Sequence, residues 1–148
     1  VHPFRYSAVI LHELVTTRKF VVDGDVNFKD AGKGNQEYRF ALQAESGPPC
    51  LLTLIINVGR NEDVTTYHAA ILVDRQRVRG IDFSPIGRKN LRTKQSIPVG
   101  WHQNIIDPTA GTNLHAPLEI EPVTDLVDFA QKVANLWHIE FKTEALLL

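Results

Sequence analysis

Leu51-Leu52-Thr53-Leu54-Ile55-Ile56-Asn57-Val58 is apolar at six of its eight positions and lies between two breaks, Ser46-Gly47-Pro48-Pro49 before it and Gly59–Asp63 after it. A short apolar run bounded by turn residues reads as a strand covered on both faces, in the middle of a sheet. Leu52, Leu54 and Ile56, or the alternating set Leu51, Ile55 and Val58, are expected to be buried there. Working outward, Glu37–Ala44 and Tyr67–Val73 read as flanking strands joined to it by turn chemistry, which favours antiparallel neighbours. Arg77–Phe83 returns as a further strand that Pro85 ends. Pro98-Val99-Gly100 precedes a strand at about Trp101–Ile106, and Asp107-Pro108 stops it. Phe20, Val22, Val26 and Phe28 alternate around Asp23-Gly24 as a strand or tight hairpin, and Asp30–Asn35 reads as a polar loop.

Helical spacing appears only at the two ends. Ile10, Leu11, Leu14 and Val15 suggest an amphipathic helix over about Arg5–Thr16, with a strand at Ala8–Leu11 as the competing reading. Near the C-terminus, Leu126, Val127, Ala130, Val133, Ala134 and Trp137 form one apolar stripe over about Asp125–Trp137. Thr124 is its expected cap, with Asp125 and Asp128 suited to the positive end of the helix. The expected fold is therefore α+β. A mainly antiparallel sheet of five or more strands carries an N-terminal and a C-terminal helix packed on it, in a single domain over 1–148.

Composition narrows the class. The 148 residues are 43% hydrophobic and 22% charged, an ordinary globular balance. No apolar run approaches the ~20 residues needed to span a bilayer, so no membrane association is expected. Cys50 is the only cysteine, which excludes an intrachain disulfide and fits a cytoplasmic location. There is no Met, an initiator included, so the gene product is expected to begin upstream of Val1.

Charge is uneven. Arg75, Arg77, Arg79, Arg88, Lys89, Arg92 and Lys94 stand against Asp82 alone, a local +6 in a chain whose net charge is -1. Arg75, Arg77 and Arg79 alternate, so on a regular strand they share one face, beside a basic loop formed by the other four. Repeated positive charges suit phosphate contacts, and Trp101 or Phe83 offers a ring on which a base can stack. With a sequence pI of 6.6, a single RNA strand or a small phosphorylated ligand fits better than broad duplex binding.

The histidines supply the candidate chemistry. His102 and His115 flank Asp107–Thr112, and antiparallel pairing of their segments would bring them close, with His68 on a neighbouring strand. Together with Asp107 these three would make a tolerable zinc set, but the spacing matches no established ligand pattern, so neither metal nor cofactor is expected. Other patterns fail. His12-Glu13 lacks a second histidine at Thr16, and Asp23-x-Asp25-x-Asn27 has Phe28 where a calcium loop needs glycine. Gly32-Lys33-Gly34 lacks the following hydroxyl residue of a phosphate loop. Ser84 and Ser96 have no Gly-x-Ser-x-Gly setting. Glu140-Phe141-Lys142 with Asp125 or Asp128 echoes a metal-dependent nuclease, though both aspartates are explained as helix-start residues.

The strand Tyr67–Val73, the return strand through Gly80-Ile81-Asp82, then Arg88-Lys89-Asn90, Gly100-Trp101-His102-Gln103-Asn104, His115-Ala116-Pro117-Leu118 and a closing helix follow one another in a familiar order. This order resembles an uncharacterised family of small, mainly bacterial and mobile-element α+β proteins. Its pattern is an Ile-Asp strand, a His-x-Asn-Pro turn, a Pro-His-x-His strand and a Trp-Ala-x-x-Leu segment before the last helix. Arg88 stands where the first family histidine would fall, Leu91 where the proline would, and His102 alone remains of the paired histidines. The resemblance implies a fold and a region of interest, and supplies no activity.

Two functions are expected from the residues. The first is binding of single-stranded nucleic acid or a phosphate ligand through Arg75–Lys94. In an enzymatic form this becomes a metal-independent, toxin-like ribonuclease with His102 or His115 as acid or base and Arg88 or Lys89 on the phosphorane. The second is a non-enzymatic module whose basic face docks an acidic protein partner.

Overall fold

The computed structural model describes residues 6–23, 36–58, 65–84, 88–89, 96–97, 100–106, 113–117 and 123–141. Helix α1 (Ala8–Thr16) leads into strand β1 (Lys19–Asp23), followed by β2 (Gln36–Ala44), β3 (Cys50–Val58), β4 (Thr65–Val73) and β5 (Gln76–Ser84). Two short strands, β6 (Arg88–Lys89) and β7 (Ser96–Ile97), pair only with each other. Strands β8 (Gly100–Ile106) and β9 (Asn113–Pro117), helix α2 (Leu126–Trp137) and β10 (Ile139–Glu140) complete the described chain. The main sheet is curled, with order β10-β1-β2-β3-β4-β5-β8-β9. Every neighbour pair in it is antiparallel except β1 with β10.

The α+β expectation, the antiparallel sheet of more than five strands and the two helices are all present. β3 is interior to the sheet, and Leu52, Leu54 and Ile56 are the buried set. Leu51 and Ile55, on its other face, are half-buried, so the double covering read from the apolar run is incomplete. Val22 of β1 is exposed, and the continuation through Val26 and Phe28 lies outside the described residues.

Register defines two faces. One carries Phe40, Leu52, Leu54, Ile71 and Ile81, all 0% exposed, and α2 adds Phe129, whose ring lies 5.3 Å from Tyr67 and 5.6 Å from Trp101. Leu11, Leu14 and Val15 of α1 join the same buried cluster. Because strand side chains alternate, His68, Asp82, His102 and Asn104 project from the opposite face.

Both helix ends are chemically finished. The cap of α2 is Asp125 rather than Thr124: its carboxylate accepts from Asp128 N at 2.8 Å, while Asp128 accepts from Thr124 N at 3.0 Å. Two donors at the helix start are thus met reciprocally. At the end of α1 the Lys19 ammonium, fully buried, donates to the carbonyls of Leu14, Val15 and Thr17 at 2.7, 3.0 and 2.6 Å. It fills the role that a C-terminal glycine cap or water serves elsewhere. Burial lowers Lys19 to about 8 and raises its neighbour Cys50 to about 11.

Candidate acid–base site

The β4–β5 hairpin turns through Asp74 and Arg75, both left-handed at φ 50 and 64. This is the twist a two-residue hairpin turn requires. Val73 pairs with Gln76 and Leu72 with Arg77, but Ile71 then pairs with Arg79, so Val78 is an extra residue in β5. That bulge slips the register by one, which in a strand exchanges the faces of everything beyond it. Without the slip His68 would oppose Ile81. With it His68 opposes Asp82, and Asp82 in turn opposes His102 across β8.

The result is a polar row across three strands. His68 Nδ1 lies 2.5 Å from Asp82 Oδ1, and His102 Nε2 lies 3.2 Å from Asp82 Oδ2. Asn104 Nδ2 donates to Asp82 Oδ2 as well. A Cβ on Gly80, the residue opposite Asn104, would stand 3.3 Å from Asn104 Nδ2 and 3.4 Å from its Cβ, so glycine leaves the amide room beside β5. Burial pushes the Asp82 carboxyl up, but hydrogen bonds from His102, His68 and Asn104, with the charge of His68, outweigh it and hold Asp82 well below the usual carboxylate range. Asp82 is therefore an anion at neutral pH.

An anion accepting at Nδ1 places the ring proton there and leaves the lone pair on Nε2. For His68, Nε2 is 3.3 Å from the Thr66 hydroxyl, which donates to it. The His68 side chain is 24% exposed, whereas that of His102 is 1% exposed. Asn57, paired in register with Thr66, is also half-buried on this face. Among the residues of the row, His68 alone has a partly exposed ring, with Asp82 against its Nδ1 and with His102 and Asn104 gathered on Asp82.

The expected site residues separate accordingly. His102, the expected acid or base, is buried and supports Asp82 instead. The backbone of His115 pairs with Asn104, which realises the expected pairing of the two histidine segments. Trp101 is 6% exposed, with Phe83 4.9 Å away and Phe129 stacked on it, a core position rather than a platform for a base. Arg75 lies in the turn, Arg77 is exposed, and Arg79, beyond the bulge, faces the core side with Ile71, so the three arginines do not share a stripe. Arg88 and Lys89 form β6; Arg92, Lys94 and Asp107 lie outside the described residues. Ser84 pairs with Gly100, so the chain carrying Arg88–Lys94 leaves and rejoins the sheet at one end of β5. Arg75 lies at the other end, nine residues or roughly 30 Å of strand away. The basic window is thus two groups. Thr66 and His68 lie toward the Ser84–Gly100 end.

Among the described residues no group of three His, Cys, Asp or Glu side chains could hold a metal ion. The acids of the nuclease-like echo are occupied: Asp125 caps α2, Asp128 pairs with Lys132 at 2.7 Å, and Glu140 pairs with Arg18. Among the described residues no helix is long and apolar enough to cross a membrane. Compared with known proteins, the chain matches no family model, no curated protein and no solved structure.

The sequence reading missed the pair His68–Asp82. One signal was available: His68, Asp82, His102 and Asn104 are polar interruptions in strands that are otherwise apolar or amphipathic. Such residues need partners when buried, and the nearest strands are where partners lie.

Proposed function

We propose that the protein binds a single-stranded nucleic acid, or a ligand of similar phosphodiester chemistry, at the Ser84–Gly100 end of the sheet, and that His68 acts on it as a general base. The observation that carries the reading is the partly exposed His68 ring held through Nδ1 by the Asp82 anion at 2.5 Å. Arg88 is four residues past Ser84, hence within about 14 Å of it along even a fully extended chain. It and Lys89 supply positive charge for the phosphate.

In this scheme Nε2 of His68 takes the proton of a ribose 2′-hydroxyl, whose oxygen attacks the adjacent phosphorus. The bond to the 5′-oxygen breaks, that oxygen takes a proton from solvent, and a cyclic phosphate remains. Asp82 selects the Nδ1–H tautomer of the neutral ring, so that the lone pair lies on Nε2, and balances the imidazolium after the step, the part an orienting carboxylate has beside any histidine base.

The test is cleavage of a fluorogenic RNA oligonucleotide with metals chelated. Wild type should cut it, and His68→Gln should cut about 10²–10⁴-fold more slowly while still retaining the strand. Combined Arg88→Ala and Lys89→Ala should weaken retention. Full cleavage by His68→Gln removes the base from the scheme. Absence of both retention and cleavage in wild type removes the reading altogether, leaving the row a structural network.

A further inference from the structure

Arg79 is placed unlike the other arginines of the sheet. Arg18 pairs with Glu140 and Glu45, Arg39 leans on Glu37, and Arg75 and Arg77 stand in water. Arg79 is half-buried on the α2 side, between Ile71 of β4 and Ile105 of β8 in register. Among the described residues no carboxylate pairs with it. Among them its polar contact is Nη1 donating to Gln103 Oε1 at 3.4 Å, a long bond, while Nε is buried with no acceptor.

Taking a guanidinium partly out of water without a counter-charge is costly, and the cost falls when an anion arrives. Burial lowers Arg79 from its ordinary value, and no acid among the described residues opposes it. Gln103 uses its carbonyl on Arg79, which leaves its amide N–H groups to donate alongside the guanidinium fork. A flat array of N–H donors with one uncompensated positive charge matches an oxyanion. Helix α2 does not claim the position through Phe129, whose ring contacts are Tyr67 and Trp101, four residues or roughly 13 Å of strand from Ile71 and Ile105.

We propose that Arg79 and Gln103 form a receptor for an oxyanion, the phosphate or carboxylate group of a small ligand, on the side of the sheet opposite His68. The receptor is independent of the His68 chemistry. Its specificity lies in the fork of Arg79, and Gln103 sets the plane in which the oxyanion sits.

Thermal midpoints test it, measured in about 50 mM phosphate, in acetate, and in chloride of equal ionic strength. A millimolar site would raise the wild-type midpoint by roughly 5 °C over chloride. A rise with phosphate alone identifies a phosphate group, and a rise with acetate alone a carboxylate. Arg79→Met should abolish the rise and, in chloride, should melt no lower than wild type, because an uncompensated charge has been removed. Phosphate-dependent line broadening in ³¹P spectra should vanish in Arg79→Met and persist in His68→Gln. No rise in wild type with either anion overturns the proposal, as does a rise that Arg79→Met retains, which would place the anion elsewhere on the protein.

Discussion

Replacing Asp82 with Asn keeps the shape of the side chain and removes its charge, and three neighbours register the change. The carboxylate accepts from His68 at one oxygen and from Asn104 at the other, where His102 Nε2 also lies 3.2 Å away. An amide offers one acceptor and one donor group. If its oxygen stays with Asn104, its nitrogen faces His68 Nδ1, which must then give up its proton and become the acceptor. The ring proton moves to Nε2, the atom that the proposed chemistry needs bare. Two charge-assisted bonds of about 1.5–3 kcal/mol each are lost, offset in part because no carboxylate is buried. A net loss of roughly 3 kcal/mol is expected, which lowers the midpoint of a chain this size by about 6–12 °C. The pH dependence carries a second signature. Asp82 titrates lower in the folded protein than its ordinary 3.8, so its stabilisation is present above that value and is lost as pH falls below it. Asp82→Asn should lack this acid-side loss. Urea unfolding at pH 7 and at about pH 3, with the RNA assay at pH 7, measures all three effects. A variant within about 0.5 kcal/mol of wild type at pH 7 would refute the view that the carboxylate ties β4, β5 and β8 together.

Other expectations follow from the same geometry. Lys19 titrates near 8 folded against 10.5 unfolded, so between these values only the unfolded chain holds the proton and stability rises with pH. Denaturant titrations of Lys19→Met and its parent, both carrying Cys50→Ala to remove the opposing thiol, should show a rise of at most about 3 kcal/mol in the parent and none in the variant. Gly80→Ala should displace Asn104 by a few tenths of an ångström, costing about 1–2 kcal/mol by chemical denaturation and lowering any His68-dependent activity. Asp125→Ala should cost about 1 kcal/mol by thermal melting, whereas Thr124→Ala should be nearly silent, since the backbone of Thr124 rather than its side chain makes the contact.

Elements were more legible than their registration. Strands β2 to β5 fell within two residues of the pattern because apolar runs and turn residues are local signals. The α2 cap was misplaced by one residue because Thr124 and Asp125 are both good caps, and only the hydrogen bonds separate them. The site was illegible for a different reason. Counting back from the Asp74-Arg75 turn pairs His68 with Ile81, and nothing in the composition of β5 announces that Val78 is an extra residue. The same slip broke the arginine alternation that had made the basic window look like one surface. Trp101 reads as a ring for stacking a base and His102 as an acid or base because alternation says that neighbours on a strand face opposite ways, not that both directions are covered.

The pairing of Ser84 with Gly100 has a further meaning for how such a chain can change over generations. The ladder itself clamps the two ends of the β6–β7 segment to the roughly 5 Å spacing of paired residues. Its content can then lengthen, shorten or exchange sequence while the hairpin of β5 and β8 keeps its own bonds. If recognition lies there, as proposed, its variation is decoupled from variation in what keeps the chain folded. Chimeras that trade residues 85–99 for other sequences should inherit new binding preferences on an unaltered frame.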